Sequence, residues 1–315
     1  MLRLLAVVLA PIMTSAQPSV AIRPIAERAT HTMRVPGYAD FLALDGDHAW
    51  VTNTGRVDRL APGQNRPIAS VPIAEPCGGM AVDFGALWVM NCKTGTLVRV
   101  DVGSNRVVAE IQTGVSDLSG EVSVATGAGS VWLLSDAAGV LSRVDPASNM
   151  VVARIRVQPH SFAAAFGFGS VWISTTGPRE NSGSGSVQRI DPATNAVVAT
   201  ITVGSAPRFL AAGAGGVWTL NQGDGTVSRI DPATNTRIAT IATAVPGSGG
   251  DIATGGGRVW VRATKLLLQA IDPGTNAVVA RYGPTAGSGA VRANDAHVWV
   301  TAHDIQLVWV LSVKS

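Results

Sequence analysis

Tryptophan recurs along this chain at Trp50, Trp88, Trp132, Trp172, Trp218, Trp260 and Trp299, at intervals of 38, 44, 40, 46, 42 and 39 residues. A period of that length constrains the fold strongly, because each repeated unit must bury its apolar face against the next. Every Trp closes an apolar pair such as VW, AW or LW. A short apolar run and a Gly-rich turn come before it, as in RFLAAG and AGG at 208–216. VWTLN (217–221) follows, then a Gly-containing loop, TVSRID (226–231), the turn PATN (232–235) and TRIATIAT (236–243). Four short strands rich in Val, Ile and Thr, each bounded by turn residues, make one propeller blade. The eighth Trp, Trp309, falls outside the period, in the closing strand QLVWVLS.

The expected fold is all-β, a seven-bladed β-propeller of four-stranded blades, with residues 17–315 as a single domain. The last unit ends after its third strand. ATHTMRV (29–35) resembles the outer strand VVATITV (197–203), so the N-terminal strand is expected to close the last blade. Pairing the two chain ends also removes an open sheet edge.

The first residues read MLR, LLAVVLAPIM, then TSA before Gln17. A short basic start, an apolar core and small residues at Thr14 and Ala16 predict a signal peptide over 1–16, cleaved after Ala16. The protein is therefore expected to be exported, periplasmic or secreted, with no lipid anchor and no membrane span. The formal charge is +3, and loss of Arg3 with the leader leaves +2. Only 14% of residues are charged and no Lys/Arg cluster occurs. Nucleic-acid binding needs a concentrated basic footprint, so that class is excluded. The expected state is a monomer, its partner a small ligand or an extracytoplasmic protein.

VWVTN, GTVSRIDPATN and VVATITVG resemble the YVTN-type propeller repeat family of bacterial exported proteins, over essentially the whole mature chain. The resemblance implies fold and export. It implies no single activity, because propellers host many functions.

The Asp of RIDPATN recurs as Asp101, Asp145, Asp191, Asp231 and Asp272, with Asn105, Asn149, Asn195, Asn235 and Asn276 closing each turn. Five dispersed copies cannot build one active site. An Asp carboxylate can accept backbone N–H groups across a bend, and Asn tolerates left-handed φ. The motif is a hairpin device, and the repeated Trp is blade core. Counting outward from the turn at 83–86 sets Cys77 directly opposite Cys92. A structural disulfide is expected there; a redox or metal pair is the other reading, and two sulfurs alone make a poor metal site.

The Gly-rich and Asp turns share one face and repeat almost unchanged. Specificity is expected on the other face, where the loops vary. Just ahead of each Trp unit stand Tyr38 and Asp40, Gly78 and Gly79, Asp117 and Glu121, His160 and Phe162, Arg208 and Phe209, Asp251, and Arg292. Tyr38, Asp40, Asp117, Glu121, His160, Arg208, Asp251 and Arg292 are the ligand-binding candidates, expected to converge on the channel mouth. A solvated mouth with internal ion pairs is the competing reading. The insertion TTGPRENSGSGS (175–186) reads as a lid or as a tolerated surface loop.

The expected function is a binding module without catalysis, and no cofactor is expected. Streptogramin (virginiamycin B) lyases are similar propellers, and a metal-dependent lyase is the first alternative. Those repeats carry an acid in the loop after the Trp strand, whereas this chain has Asn53, Asn91, Ser135, Thr175, Asn221, Ala263 and Ala302 there. His160, Glu121 and His303 are the only weak catalytic candidates, and a divalent metal enters only under that alternative. An envelope interaction scaffold is the second alternative; it predicts an exposed apolar patch.

Overall fold

The computed structural model describes residues 20–115, 122–135, 139–177, 183, 185–243, 247 and 249–313. The expected leader (1–16), Asp117, Glu121 and half of the 175–186 insertion (178–182 and 184) lie outside the described residues.

The described strands are antiparallel hairpins that follow the repeat. One unit contains Pro207–Gly213, Gly216–Asn221, Thr226–Asp231 and Thr236–Ala242, hydrogen-bonded in that order. The units stand around a common axis with their first strands innermost. The expectation of seven blades is corrected. The sheets are not seven separate four-stranded blades. Five stand as single blades, four with four strands and one with five; the remaining eight strands form one continuous sheet. That sheet runs over residues 76–156. Its halves are joined by one parallel pair, Ser123 with Gly79, beside a Gly79 N–H bond to the Val122 carbonyl of 2.9 Å. Gly78 permits the approach: its φ is +69°, and a side chain there would collide with the Val122 carbonyl. A blade count taken from the period presumes that each unit closes its own sheet, and it is blind to bonds between units.

The chain ends are interleaved. Ala29–Arg34 pairs antiparallel with Leu307–Ser312, outside His297–Ala302 and Val291–Ala293. Ile22–Pro24 adds in parallel to Ala277–Gly283 and supplies the fifth strand of that sheet. Between these two short strands Ile25 turns inward and is 2% exposed.

The core lies between neighbouring sheets. Trp218 and Leu220 of one sheet, for example, pack with Ile252, Val259 and Val261 of the next. Arg59, Arg99, Arg143, Arg189 and Arg229 sit directly across from Trp50, Trp88, Trp132, Trp172 and Trp218. Each guanidinium stands over its Trp ring, 4.8 Å from the centroid for Arg229 and 5.5 Å for Arg59. Each also reaches the next unit. Arg189 Nη1 donates to the Pro232 carbonyl at 2.8 Å and to Asn235 Oδ1 at 2.9 Å. The other four repeat this on the carbonyls of Val102, Pro146, Pro192 and Pro273 and on the matching Asn side chains.

The turns are built to receive them. Asp231 accepts from the Ala233 N–H at 2.8 Å and from Thr234 Oγ1 at 3.0 Å. Asn235 has φ +56°, and Asn105, Asn149, Asn195 and Asn276 are also left-handed. Outer edges are blunted in another way. Val108, Val152, Val198, Ile238 and Val279 are each the extra residue of a bulge in an outer strand. Bulges twist an edge and break its template for pairing with another chain.

Cys77 and Cys92 form a disulfide with Cα atoms 6.0 Å apart. Direct opposition is corrected: a register shift between Cys77 and Ala81 places Cys77 across from Met90. Turn counting holds only while no extra residues enter a strand. Gly78 is the irregularity it could not see.

Arg189→Met should cost about 2–3 kcal/mol in urea unfolding, because it removes a charge-assisted hydrogen bond and a cation–π interaction at once. Asn235→Ala should cost less, and a double-mutant cycle should show positive coupling. Hydrogen bonds from the turn hydroxyls and N–H groups hold the carboxyls of Asp101, Asp145, Asp191 and Asp231 below their usual value of 3.8. A depressed folded pKa gives stability that is present above the unfolded value and is lost as pH falls through the folded one. Changing all four to Asn should therefore flatten the acid limb of a stability–pH curve between about pH 5 and pH 2.

Candidate functional site

The face opposite the Asp turns carries the variable loops, and the candidates on it do not meet at one point. Tyr38 and Asp40 line a recess of roughly 430 Å³ between the first two units, together with Phe41, Asn53, Glu75 and Cys77. Asn53 builds its first wall. Its Oδ1 accepts from the Tyr38 N–H at 2.6 Å and the Thr54 N–H at 2.8 Å. Its Nδ2 donates to the Pro36 carbonyl at 3.0 Å and to Asp58 Oδ2 at 2.7 Å. Gly37, at φ +109°, must stay bare because a side chain would strike Asn53 Oδ1. Asn53, at the end of the Trp strand, thus holds the Tyr38 backbone in place. The second wall is fixed by the disulfide and by Asn91 Oδ1, which accepts from the Glu75 N–H at 3.2 Å.

His303 lies in a short turn, His303–Ile305. Its ring stacks on Tyr38 with centroids 4.0 Å apart, and its Nε2 is 3.2 Å from the Tyr38 hydroxyl. Asp304 Oδ1 stands 2.9 Å from His303 Nδ1, off the line a hydrogen bond requires.

His160 lines a different recess of roughly 550 Å³, with Gln158, Thr175, Ser186, Thr200 and Thr202. It is exposed and has φ +62°. His160 thus borders a recess of its own, whereas His303 packs on Tyr38 without lining the first recess. Among the described residues, no group of three His, Cys, Asp or Glu side chains is placed to share a metal ion.

Near the variable-loop face the central axis is filled by aromatic side chains. Phe162 and Phe209 meet edge-on at 5.3 Å, and Phe41 lies 6.5 Å from Phe209. Arg208 stands over the Phe162 ring at 5.0 Å. Around these rings the innermost strands leave a cavity of roughly 40 Å³ bordered by Asp251 and Arg292, and further along the axis, toward the Gly-rich turns, they line an open recess of roughly 240 Å³ with Thr126, Phe166, Ala212, Thr254 and Ala293. Asp251 is 2% exposed. It pairs with Arg292 Nη1 and accepts from the Val291 N–H at 3.2 Å and the Ile252 N–H at 2.8 Å. Burial pushes its carboxyl above the usual value, and the Arg292 charge pulls it back in part.

Sequence reading missed Arg262. This side chain is fully buried. It donates to the carbonyls of Thr301 at 3.1 Å and Gly287 at 2.9 Å, and also to that of Ala263. Burial pushes its pKa down to about 10, while the carboxylates of Asp40 and Asp304 act the other way. Arg262 and the Asp251–Arg292 pair both tie the five-stranded sheet to the last one. The inter-unit Arg is absent there, because Ala270 faces Trp260. That substitution in the repeat was the one available signal.

No family model matches the sequence, and no curated protein matches it. Solved structures do match. Virginiamycin B lyase from Staphylococcus aureus superposes with a TM-score of 0.74 at 10% identity, covering 90% of this chain and 98% of that one. A streptogramin B lyase gives 0.73 at 12%, covering 90% and 97%. Kuenenia stuttgartiensis hydrazine synthase gives 0.73 at 16%, covering 88% and 96%. At such identities the likeness establishes architecture: the chain is a β-propeller.

Arg292→Met should destabilise by about 3 kcal/mol at pH 7, because it strands a buried carboxylate. A raised folded pKa means that the unfolded chain releases its proton first, so stability falls as pH rises through the window above 3.8. The loss should shrink at about pH 4, and Asp251→Asn in the same chain should recover part of it. Urea unfolding at both pH values measures this; a pH-independent loss would rule it out.

Proposed function

We propose that this chain is an exported β-propeller of the YVTN repeat type that recognises a small ligand or protein partner through its variable-loop face, with no catalysis assigned. The division of labour between the two faces carries the proposal. The Asp-turn face is built from inter-unit Arg bonds around an axial recess of roughly 240 Å³, and near the other face the axis is filled by Phe side chains and an ion pair. Recesses of ligand size remain on the opposite face. Tyr38 and Asp40 are the proposed contacts in the first recess and His160 in the second. Asp117, Glu121 and Arg208 are proposed from their places in the repeat. Asp251 and Arg292 are proposed to hold the axis rather than to touch a ligand of this face. Export rests on the apolar leader and on a disulfide, a bond that persists in oxidising compartments. Among the described residues no helix is long and apolar enough to cross a membrane.

A metal-dependent lyase is the second reading, because two of the matching structures are a virginiamycin B lyase and a streptogramin B lyase. It would draw on His160, Glu121 and His303.

A thermal-shift screen of metabolites and divalent metals tests both readings. Ligand at about a hundred times its Kd adds about 2.7 kcal/mol, seen as a rise of a few degrees in Tm. Tyr38→Ala should remove the shift for a first-recess ligand and leave the unliganded Tm nearly unchanged. A metal-dependent shift that disappears in Glu121→Ala or His303→Ala would favour the lyase.

A further inference from the structure

We propose that the axial recess on the Asp-turn side takes a short organic acid, with its carboxylate on Arg292. This second site lies at the other end of the inner strands from the variable loops, so either site can stand without the other. The repeat marks the residue. In six units the residue seven positions before the repeated Trp is Ala, from Ala43 to Ala253; in the last unit it is Arg292. Arg292 is partnered, and the site does not rest on an unpaired charge. Its Nη1 pairs with Asp251 and donates to the Val291 carbonyl at 2.7 Å. That occupies one side of the guanidinium. Nε and Nη2 have no hydrogen-bond partner among the described residues, neither is sealed from solvent, and the side chain is 27% exposed. Arg292 borders the recess of roughly 240 Å³, whereas Asp251 is buried and does not. The pair is neutral as a whole, but the recess meets its donor end. Among the described residues no carboxylate lines that space.

Nε and Nη2 are the two parallel donors of one guanidinium edge, and that edge matches both oxygens of a carboxylate. Thr126 and Thr254 bring hydroxyls to the same space. The inner strands Ser161–Gly167, Pro207–Gly213 and Gly250–Gly255 are the last of their sheets on the axis side, and such an edge offers unpaired N–H groups. Phe166, Leu210 and Ile252 supply apolar wall. A volume of roughly 240 Å³ is below the about 300–1,000 Å³ of most ligand pockets, which limits the body to a few carbons or one ring. An ammonium group would meet the guanidinium and no acid. A neutral amide accepts from one donor and sets its own N–H against the other.

NMR titration of the full chain tests this with pairs of matched shape, butyrate against butyramide and benzoate against benzamide. At least one acid should saturate the protein and bind about tenfold tighter than its amide, the difference between charge-assisted and neutral hydrogen bonds. Butylammonium should not compete with it. Arg292→Lys keeps a cation beside Asp251 but gives up the paired donors, and it should weaken the acid about tenfold. Thr126→Leu puts an apolar side chain into the recess and should abolish binding with little change in Tm. If Arg292 serves only to join the two sheets, acid and amide bind alike or neither saturates up to about 10 mM, and the inference falls. Acid binding that survives both variants places the ligand elsewhere and also overturns it. Should Arg292→Lys fail to fold, Thr126→Leu decides alone. Loss of this site leaves the variable-loop face standing, because that face is read by the metabolite screen and Tyr38→Ala.

Discussion

The ring depends on one side chain doing two jobs. An arginine on the third strand stands over the buried Trp of its own unit and donates to the turn of the next. The first contact orients the guanidinium, and the second gives a charge-assisted bond to a carbonyl whose position is fixed by an Asp and a left-handed Asn. Packing, hydrogen bonding and turn geometry therefore support one another at each of five junctions. Where the pattern stops, other bonds replace it. Arg262 and the Asp251–Arg292 pair join the five-stranded sheet to the last sheet. The last sheet meets the first through Asn294, which donates to the Gly46 carbonyl at 2.8 Å, and through Thr301, which donates to the Asp40 carbonyl at 2.8 Å.

This arrangement separates structure from recognition along the same strands. One end of each strand is committed to repeated turns, and the middle to Trp and inter-sheet packing. Only the far end can vary. The bulged outer edges carry exposed Val and Ile on successive units, Val108, Val152, Val198, Ile238 and Val279.

Much of the architecture was legible because repetition turns local chemistry into a count. The Trp period, the Asp-to-Asn turns and the strand that pairs with the C-terminus all follow from residue types at fixed spacing. The repeated Arg was equally visible in SRID, yet its role was not, because its partners lie 43 to 52 residues away. The cysteine pair was found with the wrong register, because a left-handed Gly78 inserts irregularity that alternation cannot show. Of the candidate site, Tyr38 and Asp40 share a recess with Glu75, whereas His160 lines another and Asp251 is consumed by Arg292.

The sequence by itself determined an all-β ring of Trp-centred units and which face repeats, since strand period and turn chemistry are local properties. Only the tertiary structure decided how units join, with one continuous eight-stranded sheet and a fifth strand added from the N-terminus. It alone decided which variable residues meet. Convergence on an axis depends on loop paths and side-chain reach, which no spacing encodes. Asp251 and Arg292 stand separately among the ligand candidates in the sequence. Proximity made them each other's partner.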